Sequence, residues 1–341
     1  MGQMVYNVNQ SATQVLAAKQ VKENIFVDLV HKNGYGITQH EETNVSTLRI
    51  MKVLPFTDSA RQLGESNNGA WFNNGTIGTP EVVEYDLNLT YLYDMPVDIP
   101  EVQQDMVSVN LMDNATKNIG GRAATEINAS TVAVQLSEVY NAAQASNSWD
   151  GHAVLVEGDE SYAAVQKAST MLDDGDEEKG VQSFPFAERE IIMRPTFRAS
   201  LLSAKGVLVG GSNYAQSMLA KGAVSPEARK EWGNMYCGEI DGIPCYISPA
   251  VIWKRAGEWA GSATAFDKAE AIVCAASATD RGISTQDYIK IIDSPNGAGK
   301  RLQPKTRWGI NVPYVKGIIA ILKEGTSVPA SKLTVKAVGS R

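Results

Sequence analysis

Val83-Glu84-Tyr85-Asp86-Leu87-Asn88-Leu89-Thr90-Tyr91-Leu92-Tyr93 alternates apolar and polar side chains with a period of two. Val83, Tyr85, Leu87, Leu89, Tyr91 and Tyr93 fall on one face, and Glu84, Asp86, Asn88 and Thr90 on the other, as in a half-buried β-strand. A second strand-like run, Thr47 to Leu54, precedes it, and a polar, Asn- and Gly-rich stretch from Asp58 to Pro80 separates the two. A two-stranded ribbon is marginal alone in water, and a connection this long is usually functional or disordered. The reading is a projecting arm whose apolar face has nothing local to cover it and is buried on another subunit. That points to a protein that assembles.

At 341 residues the chain is long enough for two ordinary domains. Folded compactly it would expose on the order of 13,000–14,000 Å², enough burial for a core without covalent staples. With 31 basic and 38 acidic residues the formal charge is -7, which speaks against a dedicated nucleic-acid binder. Cys237, Cys245 and Cys274 make an odd count without framework spacing, so a disulfide scaffold is not expected and a reducing compartment is. No basic-then-apolar signal opens the chain, and no apolar run approaches the ~20 residues that span a bilayer; no membrane association is expected.

Working outward from the ribbon, Ser11 to about Leu29 reads as an amphipathic helix and His31 to Asn44 as an extended polar arm. Downstream, Pro100 suits a helix start, and Glu101 to Met112 forms a first helical piece. Gly120-Gly121 should interrupt it, at roughly 1 kcal/mol per Gly relative to Ala. From Ala123 to Ala145, residues Ala124, Ile127, Thr131, Leu136, Val139, Tyr140 and Ala143 recur at three- and four-residue steps of a helix face. His152 to Val156 reads as a strand, Ser161 to Leu172 as a helix, Asp173 to Gly180 as an acidic loop, and Glu190 to Met193 as a strand stopped by Pro195. Thr196 to Ala204 is a helix or turn, and Gly206 to Tyr214 is irregular. Asp241-Gly242 between Tyr236–Ile240 and Ile243–Ser248 is a strong hairpin signal. Ala-rich Phe266 to Ser277 fits strand or helix, Trp308 to Ile321 holds strand-like runs, and Leu333, Val335 and Ala337 suggest a last edge strand. Helices and strands mix without regular βαβ repetition, so the fold class is α+β.

Candidate chemistry is sparse. Asn296-Gly297-Ala298-Gly299-Lys300-Arg301 imitates a phosphate loop, but Ser294 stands where the first Gly belongs and Arg301 where Ser/Thr would hold magnesium. Gly210-Gly211-Ser212-Asn213-Tyr214 fails as a nucleophile elbow because Tyr214 takes the place of the final Gly. Cys237 and Cys245 flank the hairpin without a zinc pattern and read as small buried side chains. His31, His40 and His152 are scattered and read as solvated. Asp173, Asp174, Asp176, Glu177 and Glu178 lack the order of a calcium loop. Lys300, Arg301, Lys305 and Arg307 form the densest basic cluster, either a solvated loop or a contact with an acidic neighbour or a nucleic-acid backbone. No catalytic residue, metal site or cofactor is expected, and no enzyme.

The order of parts resembles the major capsid protein of tailed bacteriophages, the Hong Kong 97-type fold. Val45 to Pro96 is similar to that family's extended loop, and Ala123 to Ala145, headed by Ala124-Thr125-Glu126-Ile127, to its spine helix. Tyr162 to Leu172, Glu190-Ile191-Ile192-Met193-Arg194-Pro195 and Leu201-Leu202 resemble its helix, strand, proline and Leu pair. Gly238-Glu239-Ile240-Asp241-Gly242-Ile243-Pro244-Cys245 resembles its strand–turn–strand. Trp308-Gly309-Ile310-Asn311-Val312 with Gly317-Ile318-Ile319-Ala320 resembles its closing strands.

The resemblance implies an N-terminal arm (1–45), an extended loop (46–98), a peripheral domain with the spine helix (99–150) and a mainly axial domain (151–305). Closing strands (306–341) would return to the peripheral domain. It implies hexamers and pentamers of an icosahedral shell around packaged double-stranded DNA, held non-specifically, in a virion assembled in the bacterial host cytoplasm. Implied partners are a portal protein, a scaffolding protein and decoration proteins; because the arm begins almost at Met1, the scaffold is expected to be a separate chain. Some family members cross-link through a lysine on the extended loop. Pro55 to Asp98 holds no lysine, and Arg61 is its only basic residue, so non-covalent locking is expected. Candidate interface residues are Arg61, Trp71, Phe72, Tyr85, Leu87, Tyr91, Tyr93, Lys300, Arg301 and Arg307. Candidate hinges are Gly34, Gly36, Gly75, Gly78, Gly120 and Gly121. Two other readings stand beside this one: an encapsulin-type nanocompartment shell, and a soluble enzyme with an unrecognised site.

Overall fold

A computed structural model describes residues 37–42, 47–53, 82–100, 111–158, 160–176, 181–203, 208–209, 212–213, 235–284, 289–295 and 299–336. The helix expected at 11–29 lies outside the described residues, as do the candidates Gly34, Gly36, Arg61, Trp71, Phe72, Gly75 and Gly78.

In chain order the strands are β1 (Ile37–Glu42), β2 (Thr47–Val53), β3 (Val82–Asn88), β4 (Tyr91–Tyr93) and β5 (Val97–Pro100). Helix α1 (Leu111–Ser146) leads to β6 (Ala153–Val156), α2 (Ser161–Asp173), β7 (Arg189–Met193) and α3 (Pro195–Ser203). Two-residue strands β8 (Leu208–Val209) and β9 (Ser212–Asn213) pair with each other. Then come β10 (Tyr236–Ile240), β11 (Ile243–Ile247), α4 (Ala250–Trp259), α5 (Ala263–Phe266), β12 (Ala269–Ala275), β13 (Thr279–Ser284) and β14 (Ile289–Asp293). The last are β15 (Gly299–Pro304), β16 (Thr306–Asn311) and β17 (Ile318–Lys323).

A mixed six-stranded sheet, β10-β11-β7-β12-β17-β6, forms the centre. Its hairpin β10–β11 follows from Asp241-Gly242: both take positive φ (53° and 82°), as the two-residue turn of a right-twisted hairpin requires. Strand β7 ends at Met193, and Pro195 opens α3, where its fixed φ and missing N–H suit a first helical turn. The Ala-rich segment left open between strand and helix is strand β12. It is buried along its whole length between β7 and β17. Helices α1, α2 and α4 contribute Ala133, Leu136, Val165, Leu172, Ile252 and Trp253 to the cluster around this sheet.

A four-stranded sheet, β1-β13-β16-β4, and a three-stranded one, β14-β15-β5, cover the first half of α1. β13 pairs with β1 and β15 with β5, β16 pairs with β4, and β17 lies in the six-stranded sheet.

Helix α1 ties the two regions together. Met112, Ile119, Ala123, Ala124 and Ile127 pack in one cluster, and Ala129, Val132, Ala133, Leu136, Val139, Tyr140 and Ala143 in the other. From Ile127 to Ser137 every residue is buried, so this stretch has no polar face and behaves as a core helix. The expected interruption at Gly120-Gly121 is absent: the helix runs unbroken through both. Gly120 is buried beside Ile119, and burial of Ile119, Ala123 and Ala124 offsets the helix cost of the glycines.

Pro100 closes strand β5, and residues 101–110, where the first helical piece was expected, lie outside the described residues. The polar arm, expected to be extended, contains strand β1, which pairs in parallel with β13. One further expectation is corrected. Leu333 and Val335 form no edge strand, because the Asn141 side chain takes both the carbonyl and the amide of Leu333, at 3.0 and 2.8 Å. The groups a ladder would use are already paired, and Lys336 N–H bonds the Trp259 carbonyl at 2.9 Å.

Candidate assembly surface

The ribbon base is the antiparallel pair β2–β3, registered from Thr47 opposite Asn88 to Val53 opposite Val82. It is a two-stranded sheet of its own and joins the four-stranded sheet by its face. Leu48, Ile50, Leu87 and Leu89 form a small buried cluster there, with Tyr85 packed against it. The opposite face carries an exposed cross-strand pair, Arg49 Nε to Asp86 Oδ1 at 3.3 Å, and Thr47 Oγ1 donating to Asn88 Oδ1 at 3.0 Å.

This overturns part of the sequence reading. The striped face was expected to find no cover within the chain, yet Leu87 is 4% and Tyr91 8% exposed in a single copy. Leu87 rests on β13. Tyr91, on β4, stacks on Trp308 with centroids 5.8 Å apart and meets Trp259 edge-on at 5.4 Å. Tyr93 is half-buried beside Arg122, and burial raises its hydroxyl pKa. Tyr85, also half-buried, donates its hydroxyl to the Asp280 carboxylate; burial and that carboxylate raise its pKa, so it remains a donor.

The seat beneath the ribbon is made by two glycines. Gly282 on β13 and Gly309 on β16 are direct partners in the ladder. A Cβ on Gly309 would strike the Asn88 carbonyl oxygen; one on Gly282 would strike Leu48 and stand 3.0 Å from both Leu87 and Leu89. The reverse face of the same strands binds α1. Trp308 Nε1 donates to Ser130 Oγ at 2.8 Å, Gln135 Nε2 to Thr279 Oγ1 at 3.1 Å, and Arg281 Nη1 to Thr131 Oγ1 at 3.4 Å. Sequence reasoning missed both glycines. The signal was present, since a lone Gly inside a strand pattern (Asp280-Arg281-Gly282-Ile283, Arg307-Trp308-Gly309-Ile310) marks a close backbone approach.

Of the basic cluster, Lys300, Arg301 and Arg307 lie on strands and Lys305 between β15 and β16, where a solvated loop was one expectation. Lys300 on β15 meets its ladder partner Asp293 at 2.6 Å and holds that carboxyl below its ordinary pKa. Arg301 grips its ladder partner Asp98 through two bonds of 2.6 and 2.8 Å. Lys305 and Arg307 are exposed.

Elsewhere the polar groups build structure. Buried Arg189 reaches Asp173, the Ser169 carbonyl at 2.8 Å and the Phe184 carbonyl at 2.7 Å, fixing the start of the acidic loop. Lys316 reaches Asp176 at 3.3 Å. Cys237, Cys245 and Cys274 are buried free thiols, and burial pushes the Cys237 thiol up to about 12. His152, expected to be solvated, is half-buried, and burial with Lys316 nearby lowers its pKa. Glu190 was not singled out in the sequence. It is fully buried, and its pKa is raised to about 8 by burial, against smaller opposing effects of Cys274 and Arg281. Among the described residues no group of three or more His, Cys, Asp or Glu side chains gathers as a metal site, and no helix is long and apolar enough to cross a membrane.

No family model and no curated protein matches this sequence. Solved structures do match. One from Mycobacterium phage Bobi aligns with a TM-score of 0.51 at 14% identity, over 86% of this chain and 89% of that one. The asymmetric unit of the mature capsid of bacteriophage PhiM1 gives 0.49 at 12% identity, over 86% and 87%. A virus-like particle from Pyrococcus furiosus gives 0.48 at 11%, over 91% and 98%. The chain shares its α+β fold with the Mycobacterium phage Bobi structure.

Proposed function

We propose that this chain is the major capsid protein of a tailed double-stranded DNA bacteriophage. It assembles into hexamers and pentamers of an icosahedral shell that encloses the genome in the virion. The observation that carries the reading is the fold shared with the Mycobacterium phage Bobi structure over 86% of the chain; the order of sequence segments resembling tailed-phage major capsid proteins supports it. Shell stability comes from many modest contacts repeated by symmetry, with heterologous interfaces closing into rings. Arg61, Trp71 and Phe72 on the ribbon, and Lys305 and Arg307 on the closing strands, are the proposed contact residues; Lys300 and Arg301 are matched first by acids of their own chain. Assembly takes place in the host cytoplasm with a portal protein and a scaffolding protein, and decoration proteins are further partners. The role is structural, without catalysis. Locking is non-covalent: Pro55 to Asp98 offers no lysine, and the loop's one lysine, Lys52, stands on β2 at the ribbon base.

The test is electron microscopy of the expressed chain, with and without its neighbouring gene products, together with analysis of particle contents. Closed shells that fill with double-stranded DNA support the reading. Shells that enclose a protein cargo would favour a nanocompartment of the encapsulin type. A small oligomer with no megadalton particle would overturn both.

A further inference from the structure

The ribbon base and the four-stranded sheet share no ladder, so backbone pairing does not fix the angle between them. That angle is left to the contact between their faces. Stacked sheets ordinarily lie about 10 Å apart, at a distance set by interdigitating side chains. Here the contact has no side chain from the lower sheet at its centre, because Gly282 and Gly309 face each other across β13 and β16.

We propose that Gly282 and Gly309 are positioning residues for assembly: together they form a notch that seats the ribbon base and sets the direction in which the ribbon leaves the body. The assembly role rests on the capsid reading above; the seat itself does not. Three observations converge on it. The two notches receive different parts of the ribbon, the Leu48, Leu87 and Leu89 side chains over Gly282 and the Asn88 backbone over Gly309. Tyr85, two residues before Leu87 and on the same face of β3, is tied to Asp280, two residues before Gly282 and on the same face of β13. The other face of β13 and β16 is held to α1 through Thr279, Arg281 and Trp308. Seat and ribbon thus form one stack on the longest helix, and a change in the seat redirects the ribbon while the six-stranded sheet is untouched.

The two glycines differ in a way that can be tested. At Gly282 the obstacles are side-chain ends, Leu48 foremost with Leu87 and Leu89 at 3.0 Å, and trimming Leu48 removes the worst of them. At Gly309 the obstacle is the Asn88 backbone oxygen, which no trimming of a side chain relieves.

The experiment is hydrogen exchange read by mass spectrometry on soluble full-length subunits, with particle formation followed by electron microscopy. Gly309→Ala should speed exchange in 47–53 and 82–88 by about tenfold or more, as expected for a segment opening below the global barrier. Strands β7, β12 and β17 should stay as protected as in the parent, and closed particles should be lost. Gly282→Ala should act the same way, and Gly282→Ala with Leu48→Ala should restore slow exchange. Unchanged exchange in the ribbon strands of both single variants overturns the seat. Loosened ribbons that still build normal shells overturn its role in assembly. If Gly309→Ala does not fold, the Gly282→Ala variant with and without Leu48→Ala decides, and equal exchange in those two overturns the proposal. If the parent chain itself forms no particles, the capsid reading fails, while the exchange comparison still decides whether the seat exists.

Discussion

The indole N–H of Trp308 is bonded to Ser130 Oγ at 2.8 Å, with both residues wholly buried where β16 crosses α1. Ser130 also donates to the Ile127 carbonyl at 2.9 Å, so one hydroxyl satisfies a tryptophan and keeps its own proton paired along the helix. Ser130→Ala leaves the Trp308 donor buried without a partner, at a cost of about 1–3 kcal/mol. Denaturant unfolding of the subunit, followed by circular dichroism, should show a lower midpoint with an unchanged slope. An unshifted midpoint would mean that water reaches the indole.

Asp241-Gly242 gives a second measurable backbone effect. A Cβ on Gly242 has room, since its nearest neighbour is Phe186 at 3.5 Å, so the positive φ of 82° is the main obstacle. Gly242→Ala should therefore destabilise by about 1 kcal/mol. Gly242→Asn should cost less, because Asn tolerates the left-handed region better. Equal midpoints for Ala and Asn would show that the turn relaxes to another form.

The parts legible in the sequence are those in which local pattern and tertiary demand agree. The Asp-Gly turn dictates its hairpin, and the three- and four-residue recurrence from Ala124 to Ala143 marks α1. What escaped the sequence depends on partners distant along the chain. The Gly120-Gly121 pair reads as a break, but packing around Ile119, Ala123 and Ala124 holds the helix through it. Leu333 and Val335 alternate like a strand, and Asn141, 192 residues away, claims the Leu333 backbone. The striped face of β3 reads as uncovered because its cover, the glycine pair on β13 and β16, lies some two hundred residues later and supplies no apolar side chain to recognise. Of the candidate surface, the ribbon was visible and its seat was not.

Glu126 joins α1 to α4. It accepts Trp259 Nε1 and Arg255 Nε, each at 3.0 Å. Glu126→Ala strands the indole donor and frees Arg255, and should cost about 1–3 kcal/mol, toward the lower end because solvent reaches Arg255. Glu126→Gln, which keeps an acceptor oxygen, should recover much of the loss. If the Gln variant is as unstable as the Ala variant, the charge on Glu126 matters more than its hydrogen bonds.

Trp71 and Phe72 stand in a largely polar stretch of sequence, Asp58 to Pro80, between β2 and β3. Aromatic anchors of this size dominate interface energetics when a neighbour buries them. Replacing both with Ser should block shell formation while the soluble subunit keeps the circular dichroism and midpoint of the parent. Shells of normal size from that variant, seen by electron microscopy, would remove both residues from the interface.

Glu190 ties stability to pH. It is the direct ladder partner of Cys274, whose thiol approaches Oε1 at 3.6 Å, and among the described residues Arg281 and Tyr246 also interact with it. Burial outweighs the opposing help from Cys274 and Arg281 and raises the carboxyl from 4.5 to about 8. The folded chain therefore holds a proton that the unfolded chain releases above its ordinary value. Below 4.5 both states carry the proton and stability does not respond to it; between 4.5 and about 8, unfolding releases the proton and stability falls as pH rises. The steepest slope this one group can impose is about 1.4 kcal/mol per pH unit. Above the folded value both states are ionised and the loss is complete. Glu190→Gln removes this titration, so across that window its urea midpoint should fall less steeply than the parent's, and at the alkaline end the variant should be the more stable of the two. Parallel declines in parent and variant would place the pH sensitivity at another group.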